Sequence, residues 1–142
     1  IGWIPRKVTP KDGEFAIVGG KQGIHSHTMT QNIACLNAIS REYHMERLWI
    51  SAQDAEDLGV QTGDTVEVAS SEHVGQVEAR VTQRLKPGVV FLPTHYGGDA
   101  PAQTRAYHYG ISLTDFIPLD AEPGVGSMMS QEVAVTVKKV EA

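Results

Sequence analysis

The sequence predicts a small mixed β-barrel, an α+β chain in which strands dominate and helices are short. Three observations lead there. The segment Leu48 to Ser70, LWISAQDAEDLGVQTGDTVEVAS, packs a strand, a short helix, a tight turn and a second strand into one fixed grammar. The segments TVEVAS, QVEARVTQR and EVAVTVKKV alternate apolar and polar residues with the period of a half-buried strand. Segments of this kind outnumber helical ones along the chain, which excludes a helical bundle and a doubly wound nucleotide-binding sheet.

Taken in order, residues 1–14 carry Pro5, Pro10 and Gly13 and read as a lead-in linker, so the folded domain is 15–142. Phe15 to Val18 is a short, continuously apolar strand that runs into Gly19 and Gly20. A polar loop, KQGIHSHTMTQ, follows. Asn32 is then placed to cap a helix on which Ile33, Leu36, Ile39 and Tyr43 recur at helical spacing, with Cys35 as a small core residue. Leu48 to Ile50 form the next strand. Ser51 caps a helix starting at Ala52, Asp54 adds an acidic side chain in its first turn, and Gly59 with Val60 ends it as a left-handed residue followed by an apolar clasp. Gly63 and Asp64 turn the chain into Thr65–Ser70, and residues 71–75 form a hairpin turn into Gln76–Arg84. Pro87 and Gly88 lead into the buried-looking strand Val89–Leu92. Residues 93–130 are rich in Gly and Pro and weakly periodic, and Glu132–Val140 closes the domain. Loops of that length inside a small domain are usually functional or disordered. Trp3 and Trp49 read as packing residues, and Arg84 and Lys86 as solvated charges.

Composition narrows the function. A chain of 142 residues fits one domain and hides roughly 68–70% of its unfolded surface. A net charge of −5 argues against nonspecific binding to nucleic acid or to an anionic membrane. No apolar run approaches the ~20 residues that span a bilayer. The single cysteine, Cys35, permits neither an internal disulfide nor a cysteine-based zinc or iron–sulfur site. The chain starts with Ile and reads as a processed or excised piece of something longer.

The order FAIVGGK, HSHTMTQN, LWISAQDAEDLGVQTGDTVEVASS, GQVEARVTQRLKPGVVFLPTHYG and YGISLTDFIP, from about Phe15 to Val140, resembles the C-terminal cofactor-binding domain of molybdopterin oxidoreductases of the dimethyl sulfoxide reductase family. The HxHT loop and the final GxxxxDxIP segment look most like thiosulfate and polysulfide reductase catalytic subunits, with arsenic-oxyanion reductases close behind. The DAxxLGVxxGDxVxV core is the part that marks a double-psi β-barrel.

The resemblance implies a domain that closes over bis(molybdopterin guanine dinucleotide) carrying Mo or W, bound only in the context of the full enzyme, with no metal ligand and no catalytic residue of its own. Such a ligand calls for glycine where the backbone approaches it and for short polar side chains around its many donors and acceptors. The resemblance places Gly20, Lys21, His25, Ser26, His27 and Thr28 after the first strand, Ser51 and Asp54 at a helix start, His95 and Tyr96 after the VVFL strand, and Gly110, Ser112, Leu113 and Asp115 in the late loop. Relatives often carry Asn where Ser112 stands. His25, His27 and Thr28 are expected on the same rim of the barrel as Asp54, His95 and Gly110 to Asp115, with residues 94–130 mobile when cofactor and neighbouring domains are missing. Implied partners are the remaining domains of the same catalytic subunit, an iron–sulfur electron-transfer subunit and a membrane anchor. Neither nucleic acid nor direct membrane contact is expected, the implied location is periplasmic or membrane-associated, and the chain alone is expected to be inactive.

Other readings stay open on the residues. His25 and His27 also fit exposed loop positions, Asp54 fits a purely structural role at its helix, and Lys21 fits a solvated surface. His25-x-His27 with His95 and His108 is compatible with a metal-binding barrel, although that pattern expects a glutamate that Thr28 to Asn32 do not supply. A non-catalytic double-psi adaptor, and a separate small subunit resembling the molybdopterin-binding subunit of formylmethanofuran dehydrogenase, are the remaining alternatives.

Overall fold

Phe15–Gly20 (β1), Leu48–Ser51 (β2), Thr65–Ala69 (β3), Val74–Thr82 (β4), Val89–Pro93 (β5) and Ala134–Lys139 (β6) form the strands, joined by helices Ala34–Glu42 (α1) and Ala52–Asp57 (α2) and a 3₁₀ turn at Leu113–Phe116. The computed structural model describes residues 5–27 and 29–141; Trp3 and Thr28 lie outside them. The six strands close in the order β1-β5-β2-β4-β3-β6, the double-psi β-barrel that the sequence implies. Among the described residues no helix is long and apolar enough to cross a membrane.

Register fixes what lies at each end. β1 and β5 are parallel, with Ala16 opposite Val89 and Gly20 opposite Pro93, so both strands leave the barrel at the same rim. β2 runs antiparallel to β5 through Trp49 and Phe91, which sends Ser51 to the other rim. The inward positions of all six strands, among them Ile17, Ile50, Val66, Val68, Val77, Val90, Leu92 and Val135, fill one core that also takes in Leu113 and Phe116 from the late loop. Trp49 packs on Phe91 with ring centroids 5.2 Å apart, under the Arg80 guanidinium.

The strand–helix–turn–strand unit forms as its residues dictate. Ser51 Oγ accepts from the Asp54 amide at 3.1 Å and donates to the Asp54 carboxylate at 2.7 Å. At the other end Gly59 has φ +65°, its amide donates to the Glu56 carbonyl, and the Val60 amide donates to the Ala55 carbonyl at 2.8 Å. That pairing satisfies the last carbonyls of α2 and drops Val60 into the core. The hairpin turn is tighter than expected. Ser70 Oγ accepts from the amides of Glu72 and His73, so pairing resumes at Val74 and not at Gln76.

α1 departs most from expectation. It starts at Ala34 with no side-chain cap, and Asn32 is used elsewhere: its Oδ1 accepts from the Arg105 and Ala106 amides. Asn37 and Ser40 are the buried residues, whereas Ile33, Ile39, Tyr43 and Cys35 are exposed. The apolar stripe therefore faces away from the barrel, and Cys35 is not a core residue. The physical reason is that α1 packs on a polar loop and not on the core, so Asn37 and Ser40 are turned inward to meet its hydrogen-bonding groups.

Candidate functional site

The site grows from the rim where β1 and β5 end. The Gly20 carbonyl accepts from the Thr94 amide at 2.9 Å and from Thr94 Oγ1 at 3.1 Å, which ties the two strand exits together. Beyond Thr94 the backbone turns sharply, with His95 at φ +80° and Gly97 at φ +74°. A Cβ on Gly97 would lie 2.2 Å from the Ser112 amide nitrogen, so only glycine lets this segment touch the 111–112 backbone. The Gly97 amide donates to the Tyr109 carbonyl and the His108 amide to the Gly98 carbonyl, which locks the late loop onto the rim. Leu113 then plugs into the barrel over Gly19, where a Cβ would collide with it.

These connections enclose a cavity of about 760 Å³. Gly20, Lys21, His95, Tyr96, Ser112, Leu113 and Asp115, all implied as cofactor contacts, line it. Gly110 stands behind the wall against Tyr96 and Glu46. His25 is buried behind the same wall, its ring edge-on to Tyr96 at 5.8 Å and its Nδ1 3.2 Å from Thr30 Oγ1. Ser26 and His27 are exposed on the adjoining turn, with His27 near enough to influence His95. Ser112 Oγ donates to Asp115 at 3.1 Å, which holds that carboxylate at the cavity edge.

Ser51 and Asp54 are not brought to this rim. The Asp54 carboxylate accepts from Ser51 Oγ and from the Gly88 amide at 3.0 Å, and Gly88 precedes β5 at the opposite end of the barrel. The expectation of a single rim fails for Asp54, because β2 runs antiparallel to β5 and delivers its helix to the far side.

Sequence reasoning passed over Gln31, Asp99, Gln103 and Thr114 as site residues, all of which line the cavity. Gln31 closes the polar loop KQGIHSHTMTQ, so a signal was present; Asp99 and Gln103 sit where no periodicity marks them.

The electrostatics are set by burial and by clustering of cations. Burial first, then repulsion from His95, holds the His25 pKa below its usual value. His95 is lowered by burial and then by Lys21 and His27. Both imidazoles are thus biased toward the neutral form. Burial also raises Tyr96, whose hydroxyl pairs with Ser40 Oγ at 2.7 Å, and raises Tyr109, which donates to Glu46 beneath the Arg41 guanidinium. The arrangement offers one flexible cation, neutral ring nitrogens, a side-chain amide and glycine-lined backbone. Among the described residues no nucleophile is paired with a base there. His25, His27, His95 and His108 do not form a metal set: among the described residues only His44, Glu46 and Glu78 bring three ligand atoms together, and Arg47 already pairs with Glu78 at 2.6 Å.

The family profile described as Molydopterin dinucleotide binding domain matches residues 15–131. The chain belongs to that family. Among curated relatives, the thiosulfate reductase molybdopterin-containing subunit of Salmonella typhimurium is 25% identical over 119 residues, covering 84% of this chain and 15% of its own length. The F420-dependent formate dehydrogenase subunit alpha of Methanocaldococcus jannaschii is 35% identical over 86 residues, covering 61% of this chain and 13% of its own. The chain thus spans about one seventh of these relatives. Among solved structures, acetylene hydratase from Pelobacter acetylenicus superposes with a TM-score of 0.72 over 91% of this chain and 19% of that one, at 11% identity, and shares the fold.

The cavity fits a molybdopterin dinucleotide. Gln31 Nε2 and His95 Nε2 are buried without a hydrogen-bond partner among the described residues, which is costly unless a ligand supplies the acceptor or donor. Gly20, Gly97 and Gly98 let a ligand approach the backbone, and the positive charge of Lys21 on the cavity wall suits a phosphate.

Proposed function

We propose that this molybdopterin dinucleotide-binding domain is the closing domain of a molybdenum or tungsten oxidoreductase that holds two molybdopterin guanine dinucleotides and acts on thiosulfate, polysulfide or a related oxyanion. The observation that carries this reading is the match to the Salmonella thiosulfate reductase subunit across 84% of the chain, with a rim cavity lined by Gly20, Lys21 and Gln31 from the end of β1 onward and by 112–115 of the late loop. In this reading Lys21 binds phosphate, His95 and Gln31 hydrogen-bond the ring systems, and Ser112 and Asp115 close the outer edge. The bound group supplies the metal and its dithiolenes, which carry the electrons. The domain binds, orients and excludes water. The remaining domains of the same catalytic subunit complete the cavity, and an iron–sulfur subunit with a membrane anchor passes the electrons.

Formate oxidation is the second reading, favoured by the 35% identity to the formate dehydrogenase subunit over a shorter stretch. Metal and nucleotide analysis of the full-length enzyme, with turnover of thiosulfate, polysulfide and formate side by side, separates the two. Guanine nucleotide and Mo or W at two pterins per metal, with sulfur-compound turnover, is the expected result. Absence of pterin from the enzyme overturns the proposal, and formate turnover alone replaces the substrate. Replacing His27 and Asp115 by Ala in the same enzyme should lower cofactor retention.

A further inference from the structure

We infer that the outward face of α1, together with Met29 just before it, is the seat on which another domain of the same polypeptide packs permanently. The inference rests on the reading of this chain as one domain of a longer catalytic subunit. The helix is inverted with respect to the fold that carries it. Ile33, Ala34, Cys35, Ala38, Ile39 and Tyr43 are exposed, whereas Asn37 and Ser40 are buried. A surface helix ordinarily does the opposite, turning its apolar stripe to the core and its polar side to water. Among the described residues nine large apolar side chains are exposed, and four of them fall between positions 29 and 43, with Met29 at 79% and Tyr43 at 63%. Steps of three and four residues join Cys35, Ala38, Ile39 and Tyr43 into one strip. Scattered apolar residues on a surface need no explanation, but a contiguous strip does.

Hydrogen bonds fix this orientation. Asn37 Nδ2 donates to the Gln31 carbonyl at 3.1 Å and to the Arg105 carbonyl at 3.3 Å, and Arg41 Nη2 donates to the same Arg105 carbonyl at 2.9 Å. Ser40 Oγ pairs with the Tyr96 hydroxyl at 2.7 Å. Rolling α1 to bury its apolar side would break these bonds and strand Asn37 and Ser40. Gln31 and Tyr96 belong to the wall of the rim cavity, so α1 is bonded directly to that wall and the exposed strip is its outer side.

The chemistry of the strip says what covers it. From Gln22 to Ser40 the sequence has no Asp, Glu, Lys or Arg, a gap of nineteen residues in a chain that is 20% charged. A partner that comes and goes is steered by charge, whereas depletion of charge marks the centre of a lasting interface. A lipid surface calls for Lys and Arg beside the apolar side chains. The one cation on α1, Arg41, is already held by Asn37, the Arg105 carbonyl and the Tyr109 ring. Ala34, Cys35 and Ala38 are small, which lets a packed element come close to the helix axis. A domain of this kind also has ample polypeptide to meet. The chain matches only 15% and 13% of the length of the Salmonella and Methanocaldococcus relatives, so most of each lies outside the match.

The test uses Cys35, the single cysteine of this chain, which lies within the strip. N-ethylmaleimide is applied under native conditions to the 142-residue chain, to the full-length catalytic subunit purified alone and to the whole enzyme. Mass spectrometry of the tryptic peptide 22–41 reads the modification. Cys35 should react freely in the 142-residue chain and about tenfold or more slowly in the catalytic subunit alone. Ile33→Glu with Ile39→Glu should restore its reactivity in the full-length subunit. The same pair should leave the unfolding midpoint of the 142-residue chain nearly unchanged, because both side chains are already exposed. A large fall in that midpoint would mean that the strip is in use within the chain, and overturns the inference. Equal Cys35 reactivity in the chain and in the full-length subunit overturns it as well. So does protection found only in the whole enzyme, which assigns the strip to another subunit, and protection in the 142-residue chain that grows with concentration, which assigns it to a second copy. Pterin measured in the same full-length preparation keeps the two readings apart. Pterin with a reactive Cys35 overturns this inference and leaves the cofactor reading standing, and a protected Cys35 without pterin does the reverse.

Discussion

Replacing Gly97 by alanine tests whether the rim wall depends on backbone contact. Two costs are separable. The residue sits at φ +74°, where a Cβ costs about 1–2 kcal/mol. The new methyl would also lie 2.2 Å from the Ser112 nitrogen and 2.4 Å from the Ile111 carbonyl carbon, both backbone atoms that no rotamer change can move away. Overpacking of that kind costs about 1–3 kcal/mol, giving about 2–5 kcal/mol in total. At roughly 3 °C per kcal/mol for a chain of this length, the midpoint should fall by about 6–15 °C. Gly59→Ala is the matched control: φ is +65° there and no atom lies within 4 Å of the added carbon, so only the backbone cost of about 1–2 kcal/mol applies. The assay is urea and thermal unfolding of the three proteins, followed by far-UV circular dichroism. A Gly97→Ala shift no larger than that of Gly59→Ala would refute the argument that the 97–112 contact is structural.

Three further outcomes are expected. Ser51→Ala should cost about 1–2 kcal/mol in urea unfolding, because it removes the α2 cap and one partner of Asp54, and it should leave ligand binding unchanged, since that rim is remote from the cavity. The folded-state pKa values of His25 and His95 are held below 6.5, so the unfolded chain binds more protons between those values and 6.5. Stability should therefore decline as pH falls from 6.5 through the folded values, and a His25→Gln/His95→Gln variant should show a shallower decline over the same window in parallel urea titrations. In amide exchange, residues 96–116 should be protected by their buried anchors Tyr96, Ala106, Tyr109, Leu113 and Phe116, while 118–131, with Leu119, Val125 and Met128 exposed, should exchange first. Exchange at one rate throughout 94–130 would contradict this division.

The barrel was legible because its signals are local. Period-two alternation places Val66, Val68, Val77, Ala79, Val135 and Val137 inside, and the Ser51 cap with the Gly59 ending delimits α2 from sequence alone. The α1 face was not legible, since periodicity finds an apolar stripe without saying which neighbour it meets. Here that neighbour is a polar loop, so Asn37 and Ser40 turn inward and Ile33, Ile39 and Tyr43 face out. The late loop shows the same limit in reverse: its lack of periodicity reads as mobility, yet Leu113 and Phe116 are core residues supplied singly. Of the site, the segments after β1 and β5 and the stretch 112–115 could be gathered from sequence order and resemblance. The placement of Asp54 could not, because the direction of β2 relative to β5 decides it and no short motif records strand direction.

The central claim is that the cofactor is held at the rim where β1 and β5 end. Backbone NMR of the labelled chain, titrated with guanosine diphosphate to millimolar concentration, tests it most directly. The account predicts chemical-shift changes confined to residues 20–21, 31, 94–99 and 112–115, with Ser51, Asp54 and Gly88 unmoved. Changes centred on Ser51, Asp54 and Gly88, with the cavity residues silent, would place the ligand at the opposite rim and contradict it.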